Sequence, residues 1–267
     1  RSKYEVHPIY ISKQGEWIQG SQITGNVDDV KKLELGEREK EALPAVSPGS
    51  QWLQTTDKQE AKAATPDVIF PLLHGPNGED GTVQGLLELL NMPYVGSGVM
   101  ASAAAMDKVT MKDVFAAKGF PQVKYLAFKR KQWEREPEQA YQQVEETLGF
   151  PCFVKPANLG SSVGISKCKT KEALQEAFRE AFQFDGKIVV EEHVDGREIE
   201  VGVLGNDDPE VSVAGEILPG SEFYDYRAKY EGDGDTSLII PADLSEDTYE
   251  QIKSIAVRAF QALDCTG

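Results

Sequence analysis

Apolar residues in this chain fall into short strand-length runs and helical stripes separated by turn-rich loops. Residues 6–11 read as a strand, and residues 67–73, Asp67-Val68-Ile69-Phe70-Pro71-Leu72-Leu73, as a buried one. The second strand stops at His74-Gly75-Pro76-Asn77-Gly78-Glu79-Asp80-Gly81, dense in turn formers. Residues 82–91 then carry Leu86, Leu87, Leu89 and Leu90 in helical phase, and Pro93-Tyr94-Val95 reads as a short strand. Strand, loop, helix and strand in that order predict a parallel α/β domain ending near residue 106. Residues 33–64 are rich in charge, Gln and Pro with little periodicity, which predicts an exposed connection carrying short helices.

Beyond residue 106 the alternation is clearer. Asp107 is placed to N-cap a helix through Lys118, which Gly119 ends. Residues 123–128 read as a strand. Pro137 opens a helix whose Ala140, Tyr141, Val144 and Leu148 share one face up to Gly149. A strand at 152–155 follows, then a helix marked by Leu174, Ala177, Phe178, Ala181 and Phe182, then a strand at 187–192. Residues 198–204 alternate, with Ile199, Val201 and Val203 on one face, which predicts one half-buried antiparallel strand. Ser245 is placed to cap a last helix carrying Tyr249, Ile252, Ala256, Ala259, Phe260 and Leu263.

Composition narrows the partners. The 267 residues carry a formal charge of −16, which argues against nucleic acid and anionic membrane surfaces. No apolar run approaches the ~20 residues of a membrane helix. Arg1-Ser2-Lys3-Tyr4-Glu5 runs straight into the first strand without Met, so the natural start is expected to be missing; no signal peptide is visible. Cys152, Cys168 and Cys265 have neither metal spacing nor a disulfide pattern, and read as reduced thiols.

The chemistry concentrates at Phe153-Val154-Lys155-Pro156-Ala157-Asn158-Leu159-Gly160-Ser161-Ser162-Val163-Gly164-Ile165. A strand delivers a lysine, and a loop without bulky side chains follows, whose backbone N–H groups can close on an anion. A Walker loop has its lysine after the glycines, at a helix start. Here the lysine precedes them, which points to a nucleotide triphosphate held over a sheet. Ile188-Val189-Val190-Glu191-Glu192-His193-Val194-Asp195-Gly196-Arg197-Glu198 could supply an acceptor and backbone partners for adenine and a carboxylate for ribose, or could be a solvated acidic edge. His193 is expected to present its backbone, not its ring. Residues 223–235 combine aromatic and charged anchors with glycines, the build of a lid or of a packed surface loop. His74 stands at the C-terminal end of a strand, where α/β sheets place sites, and equally fits a tight turn. His7 reads as structural. Gly96-Ser97-Gly98-Val99-Met100-Ala101 matches a dinucleotide fingerprint, but the next strand runs into Lys129 and Arg130 instead of an acid, so NAD binding is not expected.

Read together, the segments resemble the D-alanine–D-alanine ligases of the ATP-grasp superfamily, over residues 67–241. The resemblance is carried by His74-Gly75-x-x-Gly78-Glu79-Asp80-Gly81-x-x-Gln84-Gly85, Tyr94-x-Gly96-Ser97-Gly98, Met106-Asp107-Lys108, Val154-Lys155-Pro156, Gly160-Ser161-Ser162-Val163-Gly164, Glu191-Glu192-x-Val194, Gly196-Arg197-Glu198 and Tyr224-Asp225-Tyr226-x-Ala228-Lys229-Tyr230. It implies an α/β protein: a parallel-sheet N-terminal domain (1–106) followed by the two α+β subdomains of an ATP-grasp fold (107–194 and 195–267). It implies that Lys108 and Lys155 hold the nucleotide and that Gly160, Ser162 and their loop cover its phosphates. Glu191, Glu192, Val194 and Glu198 then contact adenosine. Ser161 and Tyr230 belong to a hydrogen-bonded set beside the second D-alanine, Lys229 is a lid lysine, and His74 lies near the first D-alanine.

The implied activity is ATP-dependent ligation of two D-alanines through an acyl phosphate, for peptidoglycan precursors, with Mg2+ (or Mn2+), in a cytoplasmic homodimer. Another ATP-grasp ligase, a D-alanine–D-lactate ligase and a non-catalytic nucleotide-binding domain remain as alternatives. Two departures stand out. The family's N-terminal Gly-Gly-x-Ser-x-Glu segment is absent, and no residue matches its metal ligands, which are expected beyond Gly267.

Overall fold

The computed structural model describes residues 3–12, 14–20, 23–25, 33–35, 38–44, 53–55, 66–160, 162–218 and 237–267. The chain groups into two compact units, residues 1–70 with 86–95, and residues 71–85 with 96–267.

In the first unit, β1 (Ile9–Ile11), β2 (Trp17–Gly20), β5 (Arg38–Pro44) and β6 (Leu53–Thr55) form one sheet in that order, and β3 (Ile23–Gly25) pairs with β4 (Leu33–Leu35). Every pairing among them is antiparallel. Where residues within 33–64 are described, they form strands and not the short helices expected. The segment Arg38-Glu39-Lys40-Glu41 has helix-forming composition, but backbone pairing with β2 overrides that preference. The one parallel contact described joins Ile69 to Tyr94, with Ile69 N donating to Pro93 O at 2.8 Å and Val95 N to Ile69 O at 2.9 Å. Residues 67–73 do not form the buried strand expected. Among the described residues they pair through this bridge alone, and Val68, Phe70 and Leu72 are exposed.

Helix α1 (Thr82–Leu89) buries Leu87 while Leu89 faces solvent, and the turn after it places Asn91 at φ +53°. In the second unit, α2 (Val99–Met106) leads into α3 (Lys108–Ala117). Asp107 caps α3 as expected: its Oδ1 accepts from Val109 N and Thr110 N, and Gly119 follows at φ +73°. The central sheet runs β7 (Tyr125–Lys129), β10 (Lys187–Glu192), β8 (Cys152–Pro156), β9 (Ser166–Cys168), all antiparallel. Helices α4 (Arg130–Arg135), α5 (Pro137–Thr147) and α6 (Lys171–Phe184) complete this layer.

Strand periodicity divides the side chains of β8 and β10 between two faces. Cys152, Val154, Ile188 and Val190 join Ala140, Tyr141 and Val144 of α5 and the expected Leu174, Ala177, Phe178, Ala181 and Phe182 of α6 in one buried core. Phe178 anchors it, with ring centroids 5.3 Å from Phe128 and 5.4 Å from Tyr141. Burying a side chain of this size contributes about 1.5–3 kcal/mol, so this helical face holds the sheet flat side. Phe153, Lys155, Val189 and Glu191 therefore project to the other face, where α3 packs and Val109 and Val189 are buried together.

Downstream, β11 (Glu198–Glu200), β14 (Gly215–Leu218) and β15 (Ser237–Ile239) form a second sheet, and β12 (Val203–Leu204) pairs with β13 (Glu210–Val211). The single strand expected over 198–204 is thus two, interrupted at Val201-Gly202, where Ser212 Oγ accepts from Gly202 N at 2.9 Å. Helix α7 (Glu246–Ala262) starts at Ser245, whose Oγ accepts from Thr248 N.

Candidate active site

Two local periodicities and one sheet register assemble the site. Lys155 stands opposite Val189 across β8 and β10, so Glu191, two residues on, is its diagonal neighbour on the same face. On α3, Lys108 and Lys112 are four residues apart and share a helix face. This face meets the sheet where Glu191 emerges. Lys112 Nζ lies 2.7 Å from Glu191 Oε1, and Lys155 Nζ is ion-paired to Glu191 Oε2. Lys112 and Glu191 are each only 8% exposed. Burial opposes the charge on Glu191, but Lys155 and Lys112 outweigh it and hold its carboxyl below the ordinary range.

Lys108 reaches the glycine loop. Its Nζ donates to Leu159 O at 2.5 Å and to Ala157 O at 3.5 Å. Burial, then the charge of Lys155, pushes the Lys108 ammonium below its usual range. The loop is held at its base by Asp185, whose Oδ2 accepts from Asn158 N at 2.8 Å and Asn158 Nδ2 at 3.1 Å. Ser162 and Gly164 both have positive φ, +58° and +69°. A Cβ on Gly164 would stand 2.8 Å from Phe184 Cδ2 and 2.9 Å from Pro156 Cγ, so this glycine is required by space as well as by φ. Gly160 is unlike it, with open space around it.

The acidic connection separates into different roles. Glu192 Oε1 accepts from Lys124 N at 2.7 Å and Glu192 N donates to Lys124 O at 3.0 Å. Val194 is exposed, and so is Glu198 on β11. The ring of His193 sits 5.7 Å from that of Phe153, so the imidazole packs, and the backbone N–H of His193 donates to Pro151 O at 3.3 Å. Arg197, not singled out beforehand, forms a two-pronged pair with buried Glu216, Nε to Oε1 and Nη2 to Oε2 both at 2.7 Å.

His74 is exposed at the head of its loop. Glu79 Oε2 accepts from Gly75 N, and Asp80 accepts from Asn77 N and Thr82 N. Buried Gln84 donates from Nε2 to Gly78 O at 3.0 Å. Ser161, Lys229 and Tyr230 lie outside the described residues, as does the stretch read as a lid. Lys112 was missed by sequence reading. The available signal was its spacing of four from Lys108 on an otherwise half-apolar helix. The Gly96-Ser97-Gly98 segment bonds to other parts of the chain: Ser97 Oγ donates to Thr266 O and accepts from Thr266 N.

A sheet-borne lysine on a buried carboxylate, with a helix-borne lysine on the adjoining glycine loop, is a candidate phosphate-binding site on a fold of the ATP-grasp class. Comparison with known sequences agrees. A family described as D-ala D-ala ligase C-terminus matches residues 114–267, and one described as D-ala D-ala ligase N-terminus matches residues 1–97. The chain is 59% identical over 267 residues to the D-alanine–D-alanine ligase of Bacillus cytotoxicus, spanning all of this chain and 73% of that protein. It is 60% identical over 265 residues to that of Bacillus licheniformis, spanning 99% and 72%. Among solved structures, the D-alanine-D-alanine ligase from Coxiella burnetii superposes with TM-score 0.77 at 33% identity, covering 97% of this chain and 68% of that one. The VanG D-Ala:D-Ser ligase from Enterococcus faecalis gives 0.81 at 31% identity, covering 99% and 75%. The chain belongs to the D-alanine–D-alanine ligase family.

Proposed function

We propose that this chain is an ATP-dependent ligase that joins two D-alanine molecules into D-alanyl-D-alanine for peptidoglycan precursors. The observation that carries the reading is that Lys108 reaches the glycine loop within the electrostatic reach of Lys155, which a buried carboxylate anchors at the start of that loop. The phosphates lie against this loop and the two lysines. The Glu192 carbonyl and the Val194 backbone face adenine, and exposed Glu198 takes the ribose hydroxyls. The terminal phosphoryl group passes to the carboxylate of the first D-alanine, giving an acyl phosphate. The amine of the second D-alanine attacks that carbonyl, the amide forms, and inorganic phosphate leaves. The protein supplies positioning and charge neutralisation.

His74 belongs near the first D-alanine, Ser161 and Tyr230 beside the second, and Lys229 over the phosphates. The same reading divides the chain at residues 106 and 194 and places a homodimer in the cytoplasm. Among the described residues no helix is long and apolar enough to cross a membrane. Magnesium, or manganese in its place, would neutralise phosphate charge. Among the described residues no group of three or more His, Cys, Asp or Glu could hold a metal ion, so no step here runs through it.

A chain extended to the length of its relatives, incubated with ATP, D-alanine and magnesium, tests the reading. Dipeptide, ADP and phosphate should form in equal amounts; phosphate release without dipeptide overturns it. For the site, Lys155→Ala removes a charge-assisted contact of about 1.5–3 kcal/mol, and ATP affinity should drop about tenfold or more. A folded Lys155→Ala protein that binds ATP as the wild type does refutes the assignment.

A further inference from the structure

We propose that Lys112 is a positioning residue for the nucleotide, acting through Glu191 to keep the charge of Lys155 available to the phosphates; this rests on the ATP-binding reading above. A lysine rarely sits in the interior unless something there holds its charge. Lys112 is held on several sides. Gln122 Nε2 donates to its carbonyl at 2.9 Å, Glu191 Oε1 stands 2.7 Å from its Nζ, and the Tyr125 ring lies 5.1 Å away. It is the inner member of a row, Lys112, Glu191, Lys155, whose outer member is a quarter exposed and follows directly into the glycine loop.

The electrostatic consequence follows from counting charges along that row. Lys155 with Glu191 alone is a neutral pair, which offers a phosphate little attraction. Lys112 offsets the carboxylate from the side away from the loop, so one full positive charge remains in the row. Lys108 adds another from α3, although its ammonium already serves the carbonyls of Leu159 and Ala157. In a chain of formal charge −16, an uncancelled local cation is what lets a polyanion approach. An interior ion network retained only for packing would stabilise the fold without distinguishing ligands that carry phosphates from those that do not.

That difference is the test. Calorimetry on the whole chain compares ATP with adenosine for wild type, Lys112→Met and Lys112→Arg. One unit charge lost about 10 Å from a phosphate, under the screening usual near a protein surface, should weaken ATP about tenfold. Adenosine affinity should stay within about twofold, and Lys112→Arg should restore most of the ATP affinity. Equal weakening of both ligands, or no weakening of either, overturns the proposal. Because Lys112→Met leaves Glu191 short of a partner, Lys112→Gln repeats the comparison with a neutral side chain that can still donate to Glu191. Lys112→Gln should weaken ATP as Lys112→Met does; a Lys112→Gln protein that binds ATP as the wild type does also overturns the proposal. A wild type that binds neither ligand removes the nucleotide reading and this inference with it; a wild type that binds both, beside an unaltered Lys112→Met, removes only the role of Lys112.

Discussion

Glu191→Gln is the most informative single change in the core of the site. It keeps the shape of the side chain and deletes the negative charge that Lys112 and Lys155 share. Lys155 can turn to water, but the Lys112 side chain is only 9% exposed and cannot. Removing one partner of a buried ion pair costs about 3–5 kcal/mol, because an uncompensated charge stays inside. The Gln carbonyl still accepts one hydrogen bond, so the lower end, about 3 kcal/mol, is expected. That is about a hundredfold in the folded-to-unfolded ratio, or ~6–12 °C in melting temperature for a chain of this size. The exposed pair Glu176–Arg179, 3.0 Å apart, is the control: Glu176→Gln should change stability by less than about 0.5 kcal/mol. Urea unfolding near neutral pH measures both. The pH dependence has a defined sign. The carboxyl of Glu191 lies below its ordinary value of 4.5 in the folded protein, so its stabilisation is complete above that value and is lost as pH falls through the folded one. The gap between wild type and Glu191→Gln should therefore narrow below pH 4.5. A gap under about 1 kcal/mol at neutral pH, or one that widens in acid, refutes the account of a charge-stabilised core.

Other expectations follow from single contacts. Gly164→Ala forces a side chain into the left-handed region against Phe184 and Pro156 and should destabilise by at least about 1–2 kcal/mol, while Gly160→Ala, in open space, should unfold near the wild-type midpoint. Equal midpoints for the two variants would remove the spatial argument. In thiol titration Cys265, half-buried, should react in the native protein, and fully buried Cys152 and Cys168 only on unfolding; three fast thiols would contradict the packing. Tyr230→Phe should weaken D-alanine use at the second subsite by about 1–3 kcal/mol, raise the share of D-lactate product in competition, and leave ATP affinity unchanged. A product ratio fixed at the wild-type value across pH shows that Tyr230 does not govern acceptor choice.

What the amino-acid order determined by itself is mostly local. The buried faces of α5 and α6 could be read directly, because residues three and four apart share a helix face whatever the helix packs on. Asp107 and Ser245 cap their helices because the bonds they accept come from residues two or three positions away. Lys155 and the glycine loop were legible for the same reason, being one continuous segment. Tertiary structure alone decided the rest. Whether the 38–44 segment is helix or strand depended on the neighbours that pair with it, and the break at Val201-Gly202 on the bond that Gly202 N donates to Ser212 Oγ. Cys152 and Cys168 meet only through the register of β8 with β9. The site's charge balance is of this second kind: Glu191 reads as a surface acceptor until the β8–β10 register and the docking of α3 set two lysines against it, and its burial makes that pairing obligatory.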